Sequence, residues 1–345
     1  LSLGTFEIMN LTKPRALVPG TTIGMVAPSG SPRDVAAIDR GEAYLIARGY
    51  KVSVLPHARN RHGYLAGLDE HRLADIHQAF ADPSIDGILC VRGGYGTTRL
   101  IPRLNLDLIR RNPKVFCGFS DITALGMVLH QSCGLVNFNG PMAASTFSSD
   151  SVSSYSEACF WRTVSRAEPA GSIWQGHGDR NYRVVVDGEA EGRLVGGNLS
   201  LVASAAGTPY ALQARGGIVV LEDVDERAYR MDRMLTQLLS SGAFEGAVGI
   251  VFGRNVADPS ERDREAAAIS EGLPLHTSGF STEPNWGREP LLDEVIHDRL
   301  CNLGVPVLTG LPFGHIDHFA TLPIGAMARM DSRTGELEII ESAVC

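Results

Sequence analysis

The chain has 345 residues, more than one ordinary domain holds and about the length of two. Its composition, 44% hydrophobic and 20% charged, excludes a disordered chain, a coiled coil and a collagen-like fibre. A formal charge of −8 with no basic cluster argues against a nucleic-acid partner, and no apolar stretch reaches the roughly 18 residues of a membrane span.

The first half alternates strand and helix signals. Thr22–Ala27 is a short apolar run that breaks at Pro28-Ser29-Gly30. Ala36–Arg48 has helical character, and Lys51–Leu55 reads as a second strand. Asp69–Phe80 is an amphipathic helix with Leu73, Ile76, Ala79 and Phe80 at helical spacing. Gly87–Val91 is a third strand, ending in Arg92-Gly93-Gly94-Tyr95-Gly96. Leu104–Arg110 is a short helix, Lys114–Gly118 a fourth strand, and Ile122–His130 the helix after it. This alternation predicts crossover connections and a mostly parallel sheet covered on both faces. Ligand sites in such sheets lie beyond the carboxyl ends of the strands. The loops Gly93–Gly96 and Gly118–Asp121 both fall there.

Ala144–Asp179 changes character, being rich in serine with Pro169, Gly171, Gly176 and Gly178, and is expected to hold the inter-domain connection. Val184–Val186, Glu191–Val195 and Gly217–Leu221 then read as strands, Arg230–Ser240 as a helix and Ala247–Phe252 as a strand. Asp258–Gly287 is polar, with Pro259, Pro274 and Pro284, and reads as a long excursion with a helix around Arg262–Ile269. Val305–Leu308, Ala326–Met330 and Glu336–Ile340 are late strands.

Six cysteines occur without a C-x-x-C pair, which argues against a zinc knuckle. Cys90 and Cys117 lie inside apolar runs and read as small buried hydrophobes. Free cysteines in a chain this large point to a reducing compartment. Leu1–Asn10 lacks the basic start and apolar core of a signal peptide, and Met9 offers a natural start. The expected location is the cytoplasm.

Four places could hold chemistry. At Gly118-Phe119-Ser120-Asp121 an apolar strand runs into a serine and then a helix. That order resembles a nucleophile elbow, with helix N–H groups beneath the hydroxyl. The sequence is not G-x-S-x-G, because Ile122 takes the last position, and Ser120 or Asp121 as a helix cap is the competing reading. The Gly93-Gly94 pair is either half of an oxyanion hole or an ordinary tight turn. No phosphate-cradle motif is present. Glu222 ends the run Ile218–Leu221, placed to orient a histidine; Asp223, Asp225 and Glu226 after it read as a capping acidic loop or a hard-cation site. Of ten histidines, His315 stands out because it follows Gly310-Leu311-Pro312-Phe313-Gly314, with His318 as competitor. No metal-ligand spacing occurs, so neither a metal nor a cofactor is expected. Ser120, Glu222 and His315 stand in the order serine, acid, histidine, the three roles serine hydrolysis needs. A non-catalytic small-molecule binding module is the reading from another class.

These segments form a recognisable set. Val26–Gly30, Arg92–Gly96, Gly118–Asp121, Gly196–Ser200, Gly207–Pro209, Leu221–Arg227, Met231–Gln237 and Gly310–His315 occur in this order. Over roughly Pro19–Gly325 the chain resembles the LD-carboxypeptidase family of serine peptidases, and within it the muramoyltetrapeptide carboxypeptidases. The resemblance implies Ser120 as nucleophile, Glu222 as triad acid and His315 as triad base. It implies an oxyanion hole from the backbone N–H of Asp121 with one from Gly93 or Gly94. It also implies an N-terminal Rossmann-like α/β domain (1–165), a linker (166–182) and a β-rich C-terminal domain (183–345), with the site between domains. A homodimer, a cytoplasmic murein tetrapeptide substrate and release of its terminal D-alanine follow from the same likeness. Arg92 adjoins the oxyanion turn and is the candidate for holding the substrate carboxylate. The family also contains self-immunity peptidases that cleave peptidyl-nucleotides such as microcin C. For that use Trp174 and Trp286 are candidate stacking residues, with ordinary packing as the favoured alternative, and Phe280 lies in the same excursion as Trp286. The loop His62–Gly67 followed by Asp69-Glu70 is more like the murein-recycling branch.

Overall fold

The computed structural model describes residues 11–149, 152–254 and 290–345. The expected helix around Arg262–Ile269, and with it Phe280 and Trp286, lies outside the described residues.

The first sheet is built from β1 (Thr22–Val26), β2 (Lys51–Val54), β3 (Gly87–Cys90), β4 (Val115–Cys117) and β5 (Asn137–Asn139). All five run parallel. The helices α1 (Ala36–Ala47), α2 (Asp69–Ala81), α3 (Leu106–Arg111) and α4 (Thr123–Cys133) connect them. β1 to β4 and α1 to α4 are the elements that the first-half periodicity predicts; β5 is not among them. The central strand β3 is buried along its whole length, as expected for a parallel strand covered on both faces. α4 is buried at every position from Thr123 to His130, more than an amphipathic surface helix would be. The reason is tertiary: α4 packs on β5 of its own sheet and on elements of the second half.

The second sheet has the order β6-β14-β13-β8-β9-β10-β11-β7. Its parallel centre is β8 (Glu189–Asn198), β9 (Gly217–Glu222), β10 (Gly249–Gly253) and β11 (Val307–Leu311). The flanking strands β6 (Pro169–Ser172), β7 (Arg183–Val186), β13 (Met327–Asp331) and β14 (Glu336–Ser342) are antiparallel. α6 (Leu199–Ala205), α7 (Ala228–Ser240) and α8 (Leu292–Leu300) cover this sheet, their buried residues sharing one apolar cluster with β9 and β10. The mixed α/β, two-domain architecture expected from the sequence is the one observed.

Besides β5 and α6, three features differ from the periodicity reading. Pro169–Ser172, inside the segment taken as the connection, forms β6 and pairs with β14. Before it, α5 (Ser154–Ser165) is capped by the Ser153 side chain, which accepts from Ser156 N–H. Late in the chain β12 (Leu322–Ile324) returns to the first sheet and pairs antiparallel with β5. Each is short or polar, and each is held by partners distant in sequence.

Among the described residues no helix is long and apolar enough to cross a membrane. The six cysteines are free, and Cys90 and Cys117 are fully buried, as their apolar runs predict.

Candidate active site

β4 ends at Cys117, and the chain turns sharply through Gly118 and Phe119 into a helical first turn, Ser120–Ile122, that continues as α4. Ser120 sits at φ +63°, a left-handed conformation rare for a side chain other than glycine, asparagine or aspartate. Such strain persists only where surrounding structure imposes it. Here Gly118 has no room for a side chain: a Cβ would stand 2.9 Å from Ile122 Cγ2 and 3.1 Å from Cys90 Cβ. Ser120 is half-buried, and its side chain does not cap α4. The cap reading of Ser120 is therefore overturned.

The turn after β3 lies against the serine. A Cβ on Gly93 would stand 2.9 Å from Ser120 Cβ and 3.2 Å from Ser120 Oγ. Only glycine lets the backbone approach this closely. The backbone N–H groups of Gly93, Gly94 and Asp121 have no hydrogen-bond partner among the described residues. Arg92, at the start of the turn, is half-buried; its Nη1 donates to the Ser31 carbonyl (2.9 Å), and it has no carboxylate partner among the described residues.

Glu222 is the last residue of β9 and is fully buried. Its Oε2 lies 2.6 Å from His315 Nδ1. Asn198, its direct neighbour in the parallel β8–β9 ladder, donates Nδ2–H to Glu222 Oε1 (3.3 Å) and Asp223 Oδ1 (3.1 Å). His315 follows β11 on a turn that needs glycine before it. Gly314 has φ +102°, and a Cβ there would stand 3.0 Å from Glu222 Oε2. Burial pulls the His315 pKa down, but the hydrogen bond and charge of Glu222, with the charges of Asp223 and Asp225, outweigh it; the net displacement is upward. His318 is exposed and bonds Ser153 Oγ instead (2.7 Å), which removes it as a competitor. The acidic loop separates into distinct roles. Asp223 accepts Ser200 N–H (2.9 Å) and Oγ–H (2.7 Å) at the start of α6, and Glu226 pairs with Arg230. Among the described residues no cluster of metal-ligating groups occurs.

The two halves meet at the elbow. The Phe119 ring, one residue before Ser120, lies 4.9 Å from the His315 ring and 5.4 Å from that of Phe319. Asn198 N–H donates to Thr123 Oγ1 (3.0 Å), so the residue that holds Glu222 also touches the first turn of α4. Gly197 packs flat on Thr123, where a Cβ would come within 2.6 Å of Oγ1. The structure does not join His315 to Ser120 Oγ by a hydrogen bond; in serine hydrolases without substrate that contact is commonly long. The Gly196–Ser200 segment belongs to the family resemblance, but nothing in the local sequence marks Thr123 or Phe119 as part of the site. The only signal was the position of Asn198 after paired glycines at a strand end.

Trp174 is 2% exposed and donates Nε1–H to the Gly335 carbonyl (2.8 Å). It is a packing residue, and the stacking use considered for it is overturned.

Comparison with known proteins identifies the family. A family model for the LD-carboxypeptidase N-terminal domain matches residues 23–140, and one for the C-terminal domain matches residues 191–330. A probable murein peptide carboxypeptidase of Bacillus subtilis (strain 168) is 35% identical over 333 residues, 96% of this chain and 95% of that protein. The crystal structure of muramoyltetrapeptide carboxypeptidase from Oxalobacter formigenes is 31% identical, with a TM-score of 0.74 over 92% of this chain and 97% of that one. The microcin C7 self-immunity protein MccF shares the fold, with a TM-score of 0.80 over 97% of this chain and 100% of that one at 22% identity. With both domain models matched in order and a full-length relative above 30% identity, this chain belongs to the LD-carboxypeptidase family of serine carboxypeptidases.

Proposed function

We propose that this chain is a cytoplasmic LD-carboxypeptidase that releases the terminal D-alanine from murein tetrapeptide through a Ser120–His315–Glu222 triad. The observation that carries the reading is the buried Glu222–His315 pair, 2.6 Å apart, with the His315 ring against Phe119 at the elbow. The names of the Bacillus subtilis and Oxalobacter formigenes relatives support the substrate class. The free cysteines support the compartment. A homodimer is part of the proposal and is tested by mass in solution.

In this mechanism Ser120 Oγ attacks the carbonyl carbon of the last amide while His315 Nε2 takes its proton. Glu222 holds Nδ1–H, which fixes the tautomer and stabilises the imidazolium. Negative charge grows on the carbonyl oxygen and is met by the unpartnered N–H groups of Asp121 and the Gly93–Gly94 turn. His315 returns the proton to the leaving nitrogen as the C–N bond breaks. Water then enters, gives a proton to His315 and cleaves the acyl ester, and Ser120 regains its proton. The free carboxylate of D-alanine needs a cation, and Arg92 is the residue proposed for it. An arginine without an acidic partner keeps donors free for a bidentate carboxylate contact.

The test is D-alanine release from purified tetrapeptide, with wild type beside Ser120→Ala and Arg92→Ala. Wild type is expected to release D-alanine, Ser120→Ala to release none, and Arg92→Ala to show a raised KM. Release by Ser120→Ala at the wild-type rate sinks the triad. Absence of release by wild type, with turnover of a peptidyl-nucleotide, moves the substrate to that class.

A further inference from the structure

One buried carboxylate lies where the three loops of the N-terminal half of the site meet. Asp121 is 2% exposed. Its Oδ2 accepts Ser29 Oγ–H at 2.6 Å and the Thr97 backbone N–H at 3.0 Å. Thr97 Oγ1–H returns a bond to the Asp121 carbonyl at 2.6 Å. Ser29 and Thr97 are fully buried. They come from the loops after β1 and β3, and Asp121 from the loop after β4. The same loops also meet through backbone. Gly30 N–H donates to the Gly93 carbonyl (3.1 Å), and a Cβ on Gly94 would stand 3.3 Å from Gly30 Cα and 3.6 Å from Ser29 Oγ.

We infer that the Asp121 side chain is a positioning residue, which holds the Gly93–Gly94 turn in register with Ser120 by tying both to the loop after β1. The inference rests on the reading of Ser120 as nucleophile. The chemistry makes the arrangement informative. A carboxylate next to a site where an oxyanion forms opposes that charge. Two donated hydrogen bonds and the N-terminal end of the segment Ser120–Cys133 offset this cost. The oxygen that accepts from Ser29 also accepts from Thr97, so losing it frees two loops at once. The Gly93 and Gly94 donors sit on the loop after β3, which the loop after β1 braces, and a shift of about 1 Å there costs on the order of 100-fold in rate.

The experiment measures kcat, KM and the affinity of a peptide boronic acid, which mimics the tetrahedral adduct, on the full chain. Asp121→Ala is expected to lose about 10- to 100-fold in kcat with KM within about twofold, and to lose boronate affinity in parallel. Asp121→Asn keeps an acceptor oxygen and is expected to recover most of that loss. Ser29→Ala is expected to lose part of it, and Ser29→Ala with Asp121→Ala to be no worse than Asp121→Ala alone. Wild-type kcat and boronate affinity in folded Asp121→Ala overturn the inference, as does multiplicative loss in the double variant. If Asp121→Ala does not fold, unchanged boronate affinity in Ser29→Ala overturns it. Ser120→Ala, run alongside, separates the two levels. An active Ser120→Ala sinks the nucleophile and this inference with it. An inactive Ser120→Ala beside an unaffected Asp121→Ala sinks the inference alone.

Discussion

Replacing Gly93 with alanine isolates one contact of the site. Gly93 is not in the left-handed region, so its backbone accepts alanine without strain. The new Cβ would meet Ser120 Cβ at 2.9 Å, whereas carbons in ordinary contact stand about 3.5 to 4.0 Å apart. The serine cannot yield, because it is already held at φ +63° and Gly118 behind it packs against Ile122 and Cys90. The turn must therefore retreat by roughly 0.6 to 1 Å. A donor that was at hydrogen-bond distance from the oxyanion then stands too far to hold it. Loss of one such donor costs about 3 to 4 kcal/mol of barrier, or about 100- to 1,000-fold in kcat. Overpacking adds a stability cost of about 1 to 3 kcal/mol, which a melting curve reads separately. The assay is D-alanine release from tetrapeptide under saturating and limiting substrate. A folded Gly93→Ala variant within threefold of wild-type kcat refutes the reasoning, and so does a loss confined to KM.

Three other outcomes are expected. Glu222→Gln removes the charge that raises the His315 pKa, and about 1,000- to 10,000-fold of kcat should go with it. The base must be neutral, so wild-type kcat/KM falls as pH drops through a value above 6.5, and the residual activity of Glu222→Gln should persist to lower pH; an unmoved acid limb contradicts the pairing. His130 is 8% exposed on α4, and burial, aided by the Arg193 charge, holds its pKa at about 4 instead of 6.5. The unfolded chain binds that proton first as pH falls, so this residue should make stability decline from about pH 6.5 to 4, by about 3 kcal/mol in all; urea unfolding of His130→Gln across that range should show a flatter profile. Ser120→Gly relieves the positive φ and should raise stability by about 1 kcal/mol while abolishing turnover; a destabilised glycine variant would argue against strain at the elbow.

Much of the fold is legible because its signals are local. β1 to β4 with α1 to α4 follow from apolar runs, helical spacing and glycine breaks within windows of a dozen residues. The strands β5, β6 and β12 are not legible in this way. Asn137–Asn139, Pro169–Ser172 and Leu322–Ile324 are three or four residues long and carry little apolar pattern. They are strands because a partner already in a sheet supplies the ladder. α6 is not legible for a related reason: Leu199–Ala205 is short, and its start is set by Asn198 accepting from Leu201 N–H and by Asp223 reaching over from β9.

At the site the division is sharper. Ser120, Gly93 and Gly94 announce themselves by type and by position after a strand, since a sharp turn and a close backbone approach are demands that few residues meet. Sequence alone therefore determined the family, the fold class and the candidates for each chemical role. It favoured His315 over His318 only through the resemblance, and it did not assign separate partners to Glu222 and Asp223. Those choices rest on contacts between residues as far as 165 apart, the Glu222–His315 pair being made where the β9 and β11 ends of one sheet meet the elbow of the other. The identity of a side chain states what it can donate or accept, but only the packing of the two sheets through α4 and Asn198 sets which partner lies within reach.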